Sequence, residues 1–247
     1  VYENKGKKSG AYSWGSYDTM PYVLLNYNYE LNDVSTLAHE MGHSIHSYYT
    51  RKEQPYVYGN YTLFCAEVAS TTNEILLIND LINKEQDKNK KLYLINQELE
   101  QIRATVYRQL MFAEFELITH ETLENGGALT SDDFDNIWYD LNKKYFGPEM
   151  IVDEEIKSEW ERIPHFYSDF YVYQYATGYA AASAFAKSIL ENGEAAVEKY
   201  KGFLKAGGSL YPIDTLKNAG VDMTTSMPLE ATIERFNELL DMLEELI

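Results

Sequence analysis

Two histidines four residues apart, with a glutamate directly after the first, constrain this chain more than any other feature. In LAHEMGHSIH, Leu37 to His46, His39 and His43 can act together only on an α-helix. Helical residues four apart share one face, one turn above the other. Two imidazoles placed so can reach one tetrahedral zinc ion, and Glu40, about 100° round the helix from His39, can address a water at the same point. Asn32, Asp33 or Ser35 upstream supplies a cap for a helix running to about Tyr49. His46 lies roughly 10 Å along the axis from His39, too far to share an ion with both others, so it supports or packs. The longer pattern, in which a third histidine follows a glycine turn, is not met.

A catalytic zinc needs a third protein ligand and an open position. Glu53, Glu67 and Glu74 are the downstream candidates. Glu53 falls in the charged loop TRKEQP, where a solvated carboxylate is unremarkable. Glu67 sits in FCAEVAST, an otherwise uncharged stretch where a carboxylate is expensive unless paired or bound to metal. The small Ala66, Ala69 and Ser70 would let this segment approach the first helix closely. Glu74, seven residues on, suits a carboxylate that orients a histidine from behind. Glu67 is therefore the expected third ligand.

The rest of the chain reads as one mainly α domain with a small β element near its start. Residues Val1 to Gly15 read as loop, and MPYVLLNYNY as an edge strand after Pro21. Helices are expected at Thr62–Ile82 and, on the face Ile95, Leu99, Ile102, Val106, Leu110, Ala113 and Leu117, along a long segment ended by NGG at 125–127. Further helices are expected from Thr130 or Ser131 to Gly147, at Asp153–Arg162, Tyr167–Glu191, Glu194–Lys205, Asp214–Asn218 and Pro228–Ile247.

A net charge of −18 argues against nucleic-acid and anionic-lipid partners. The most apolar stretch, Tyr173 to Leu190, contains Gln174, Thr177, Ser183 and Lys187, so a buried helix fits it better than a membrane span. Cys65 is the only cysteine, which excludes an internal disulfide and points to a reducing, cytoplasmic compartment. Its neighbours Phe64 and Ala66 suggest a small core residue.

The segment from His39 to Glu74, HEMGHSIHSYYTRKEQPYVYGNYTLFCAEVASTTNE, resembles the active-site segment of oligoendopeptidase F, among the thimet oligopeptidase-like zinc metallopeptidases. That family's third ligand is a glutamate 24 residues after the second histidine, which is the position of Glu67. GAYSWGSYDTMPYVLLNY resembles the family's strand beside the cleft, IPHFYSDFYVYQYATGYAAA its second catalytic segment, and GGSLYPIDTLKNAGVD its C-terminal loop and helix. The resemblance covers most of Gly10 to Asp222 and implies a zincin-like catalytic domain, 1–247, without the family's large helical N-terminal region.

What the resemblance implies is a zinc-dependent endopeptidase for short peptides with one zinc per chain on His39, His43 and Glu67, and Glu40 as general base. It implies His165 and a tyrosine, Tyr175 or else Tyr171, as donors to the tetrahedral intermediate. It also implies peptide contacts at Gly10, Ala11, Tyr12 and Tyr22, with the strand Tyr22–Asn28 open to backbone pairing. Taken alone, a tyrosine-rich amphipathic helix is packing more often than catalysis. A carboxypeptidase or dipeptidase on the same site, or a metal-holding module without catalysis, are the competing readings. Self-association through a surface left exposed by the absent region is a further expectation.

Overall fold

A computed structural model describes residues 4–7 and 9–247, so residues 1–3 and 8 of the loop expected over Val1–Gly15 lie outside the described residues. Within that loop the chain forms a strand, β1 (Tyr12–Trp14), pairing antiparallel with β2 (Tyr22–Leu24) in the register Tyr12↔Leu24, Ser13↔Val23, Trp14↔Tyr22. Three alternating residues give too little periodicity to separate a strand from a loop in the sequence. The remaining secondary structure is helical: α1 (Leu31–Glu53), α2 (Leu63–Lys84), α3 (Lys88–Ile102), α4 (Arg108–Glu124), α5 (Ser131–Phe146), α6 (Tyr173–Asn192), α7 (Glu194–Ala206), α8 (Pro212–Asn218) and α9 (Met227–Leu246). Among the described residues, no helix is long and apolar enough to cross a membrane. Two compact units are present, one formed by residues 1–99 with 178–247 and the other by residues 100–177.

In the first unit α1 begins one residue before the expected caps. Glu30 is the N-cap: its backbone carbonyl accepts the Asp33 N–H at 3.1 Å while Asp33 Oδ2 accepts the Glu30 N–H at 3.0 Å. Asp33 also accepts the Asn28 N–H at 2.7 Å, tying the incoming chain to the first turn. Thr62 caps α2. The core between α2, α6, α7 and α8 holds Cys65, Val68, Ala69, Ala181, Phe185, Phe203 and Leu216, all buried. Burying Val68, Phe185, Phe203 and Leu216 contributes about 1.5–3 kcal/mol each. Helix α7 is fastened to α1 by Thr50 Oγ1 donating to the Leu204 carbonyl at 2.8 Å and Gln54 Nε2 donating to the Lys205 carbonyl at 2.9 Å. Gly207, at φ +52°, closes α7 where a Cβ would stand 2.3 Å from the Tyr58 carbonyl oxygen.

In the second unit a π-turn, Arg103–Tyr107, leads into α4. It overturns part of the expected apolar face. Ile102 and Val106 are buried as expected, but Leu117 is 47% exposed and the buried side chains of α4 are Met111, Phe112, Phe115, Glu116 and Thr119. A π-turn accommodates one extra residue, so the stripe moves round by one position and a strict 3.6 period cannot follow it. Met111, Phe112 and Phe115 pack with Trp138, Leu141, Ile163 and Val172. Thr130 caps α5 in a capping box with Asp133.

Two helical expectations need correction. Glu154–Arg162 is a 3₁₀-helix. The helix expected over Tyr167–Glu191 is broken into a 3₁₀ turn at Pro164–Tyr167, a bend with Phe170 at φ +53°, and α6 from Tyr173 onward.

Candidate metal centre

The crossing of α1 and α2 builds the site. Gly42 lies where the helices touch: a Cβ there would fall 2.6 Å from Ser70 Cα and 2.9 Å from the Ala69 carbonyl oxygen. Only a glycine on α1 against small residues on α2 allows backbones this close. Asn73 Nδ2 adds a bond to the Ala38 carbonyl at 3.3 Å.

That close approach brings His39, His43 and Glu67 together, with one ligand atom from each lying within 4.8 Å of the others. The two Nε2 atoms are 3.1 Å apart, and Glu67 Oε2 is 3.6 Å from His39 Nε2. His39 Nδ1–H donates to Glu74, in a very short contact, and Glu74 also accepts from Ser35 Oγ at 3.3 Å. A ring N–H of His43 meets the Ala66 carbonyl. The two Nε2 atoms thus face each other beside the Glu67 carboxylate. Two imidazole nitrogens facing each other beside a carboxylate form a donor set that suits a shared divalent cation.

The charge pattern agrees with that use. Burial, aided by the neighbouring His39, pulls the His43 pKa down to about 4, keeping the ring neutral at pH 7. Burial opposes protonation of His39 too, but the bond and charge of Glu74 and the charges of Glu67 and Glu40 outweigh it, so its pKa is raised. Glu67 is less enclosed than the uncharged sequence around it suggests. Its side chain is 43% exposed, so the desolvation argument for it fails and convergence with the histidines takes its place. Ser70 Oγ donates to Glu67 Oε2 at 3.3 Å.

Glu40 is buried beside this cluster. Burial pushes its pKa up; the His39 charge and a hydrogen bond from the Ser13 backbone N–H hold it back, while Glu67 and Glu74 push further upward. Strand β1 is thus fixed to α1 at Glu40, and again by the Ser13 and Ser44 hydroxyls 2.8 Å apart. It is β1, then, whose backbone reaches the glutamate. Tyr12 and Tyr22 stand exposed with their rings edge to face at 6.4 Å, Gly10 has φ +106° and receives a bond from Asn26 Nδ2 at its carbonyl, and Ala11 is half-buried.

His46 is fully buried, its ring stacked on Tyr61 at 3.6 Å and 5°, with Nδ1 lacking a hydrogen-bond partner among the described residues. Tyr61 in turn bonds Ser47 Oγ at 2.7 Å and the His43 carbonyl at 3.3 Å. Tyr61 and Ser13 were not foreseen as site neighbours. Both lie outside α1, so only the packing of separate segments reveals them.

In the second unit, His165, Tyr171 and Tyr175 do form one cluster. The Tyr175 hydroxyl is 3.3 Å from His165 Nε2, and Tyr171 lies parallel to His165 at 6.3 Å and edge-on to Tyr175 at 5.5 Å. Tyr171 precedes α6, so it reaches Tyr175 from a bend and not from the preceding helical turn.

The chain's sequence matches the model of peptidase family M3 over residues 1–235. The oligopeptidase PepF of Bacillus subtilis (strain 168) is 58% identical over 247 residues, spanning 100% of this chain and 37% of that protein. The chromosomal oligoendopeptidase F of Lactococcus lactis subsp. cremoris is 47% identical, over 100% and 41% respectively. Among solved structures, one from Chlamydophila abortus matches with a TM-score of 0.92 and 44% identity over 100% of this chain and 41% of that one. Oligoendopeptidase-F from Enterococcus faecium matches with a TM-score of 0.78 and 46% identity over 87% and 39%. The chain thus spans about two fifths of the length of the relatives it matches. With a family match over nearly its whole length and an H-E-x-x-H helix crossing a glutamate-bearing one, the chain belongs to peptidase family M3.

Proposed function

We propose that this chain is the metal-bearing catalytic portion of a zinc-dependent endopeptidase acting on short, unfolded peptides. The observation that carries the reading is the convergence of His39 Nε2, His43 Nε2 and Glu67 beside the buried Glu40. The oligopeptidase and oligoendopeptidase names of relatives at 46–58% identity support the substrate class.

A zinc ion held by these three residues would supply Lewis acidity, lowering the pKa of a water and polarising the scissile carbonyl. Glu40 takes the water's proton and passes it to the departing amine nitrogen. Its raised proton affinity helps it hold that proton between the two transfers. Glu74 keeps His39 in the tautomer whose Nε2 lone pair faces inward. His165 and Tyr175 are assigned, on the family resemblance and their mutual hydrogen bond, as donors to the oxygen that becomes negative in the tetrahedral intermediate. The strand β1, tied to Glu40 through Ser13, is the natural partner for an extended peptide.

The test compares zinc content and hydrolysis of a quenched fluorescent peptide by the wild type and Glu40→Gln, in this chain and in the complete polypeptide that carries it. The variant is expected to keep its zinc while hydrolysis falls by about a thousandfold. Equal hydrolysis by both proteins would refute the role of Glu40. Loss of zinc from the variant would refute the separation of base from ligands.

A further inference from the structure

Phe170 adopts φ +53°, a left-handed value that is uncommon for a bulky side chain. What enforces it is on α4. The Phe170 N–H donates to Glu116 Oε1 at 2.7 Å, and the Phe170 ring lies 4.8 Å from that of His120. Glu116 and His120 are one turn apart, so one face of α4 holds both the amide and the ring of Phe170. Glu116 is only 4% exposed and neighbours the aromatic core of Phe112 and Phe115. A carboxylate in such a place is costly unless it is used, and a charge-assisted bond to a backbone amide is a use.

The consequence falls on the next residue. Tyr171 follows Phe170 directly, and the direction in which the chain leaves the bend decides whether its ring lies parallel to His165 and edge-on to Tyr175. We infer that Glu116 is a positioning residue: through the Phe170 amide it fixes the His165–Tyr171–Tyr175 cluster in its working arrangement. Were residue 170 to relax to negative φ, the following peptide plane would turn and Tyr171 would leave the His165 ring. Glu116 itself touches no substrate. The inference rests on the proposed role of His165 and Tyr175 in hydrolysis, while the anchoring of the cluster can be observed without any activity.

Glu116→Gln keeps an acceptor oxygen, whereas Glu116→Met fills the same space with none. Phe170→Gly, added to Glu116→Met, removes the need for an anchor because glycine accepts positive φ freely. The zinc-loaded chain is followed through its ¹³C-labelled His165 ring signals, the exchange rate of the Phe170 amide, and kcat and KM on the fluorescent peptide. In Glu116→Met the ring signals should move and the Phe170 amide exchange at least about tenfold faster. In the same variant kcat should fall about ten- to a hundredfold with KM changed less than about threefold. Glu116→Gln should keep the wild-type signals and stay within about threefold of its kcat, and the added glycine should recover at least about threefold of the loss. Unmoved His165 signals in a folded Glu116→Met would overturn the anchor. So would equal losses in the Gln and Met variants. Should Glu116→Met not fold, the added glycine must restore folding, and its failure to do so contradicts the inference. A wild type that shows these signals but hydrolyses nothing would count against the peptidase reading alone, and the ring signals would still decide on the anchor.

Discussion

His39 commits one ring nitrogen to Glu74 and turns the other toward His43 and Glu67, so a residue on the neighbouring helix sets the aim of this candidate ligand. Replacing Glu74 with Ala should weaken zinc binding by about ten- to a hundredfold, measured by competition with a chelator, and unchanged affinity would show that His39 needs no such partner. The buried histidines also give the metal-free chain a pH response. Burial first, then neighbouring histidine charge, lowers His43 to about 4 and His46 to about 3. The unfolded chain therefore takes up protons that these residues refuse in the folded one, and stability falls as pH drops from about 6.5 toward about 4. His39, with its pKa raised, acts oppositely: its contribution is present below about 6.5 and is lost as pH rises through its own pKa. Glu40, its pKa also raised, acts in the same sense as His39, but the drops at His43 and His46 are the larger shifts, so the urea midpoint of the metal-free chain should be lower at about pH 4.5 than at about pH 7. His46→Leu should shrink that drop, and an equal drop in the variant would contradict the assignment. At this scale much was legible in the sequence, because His39, His43 and Glu40 answer to a helical period that needs no tertiary knowledge. Glu67 was legible by its setting in a small-residue segment, although its half-exposed side chain shows that the cost of burial was not the reason.

The crossing of α1 and α2 is the element on which the centre depends, and Gly42 is its tightest point. Alanine normally improves a helix by about 1 kcal/mol over glycine. Here its Cβ would meet the backbone of Ser70 at 2.6 Å, and backbone cannot rotate aside as a side chain can. Overpacking of this kind costs about 1–3 kcal/mol, so the clash should win. Gly42→Ala is expected to lower the urea midpoint and to weaken zinc binding by moving Glu67 from the histidines. A more stable variant with unchanged zinc affinity would mean that the helices do not touch as described. Elements were less legible than residues where the period itself changes. The π-turn before α4 moves the buried stripe from Leu117 to Glu116, and the bend at Phe170 splits what reads as one helix from Tyr167. Both are local departures from 3.6 residues per turn, so a search for that period passes over them.

Over the whole molecule, the sequence carried the helical class and the family relationship, while the assembly of the site required segments far apart in the chain to meet. His39 finds Glu74 thirty-five positions on, and Glu40 finds Ser13 from a strand of three residues that alternation alone does not reveal. The net charge of −18 leaves the centre in an acidic molecule, a setting that favours a bound cation. X-ray absorption at the zinc edge of the loaded chain, wild type beside Glu67→Ala, tests the central claim most directly. The account expects one ion per chain with two imidazoles and carboxylate or water oxygens at about 2.0–2.2 Å in the wild type, and a weakened, altered site in the variant. A spectrum without paired imidazoles, or one unchanged by the loss of Glu67, would contradict it.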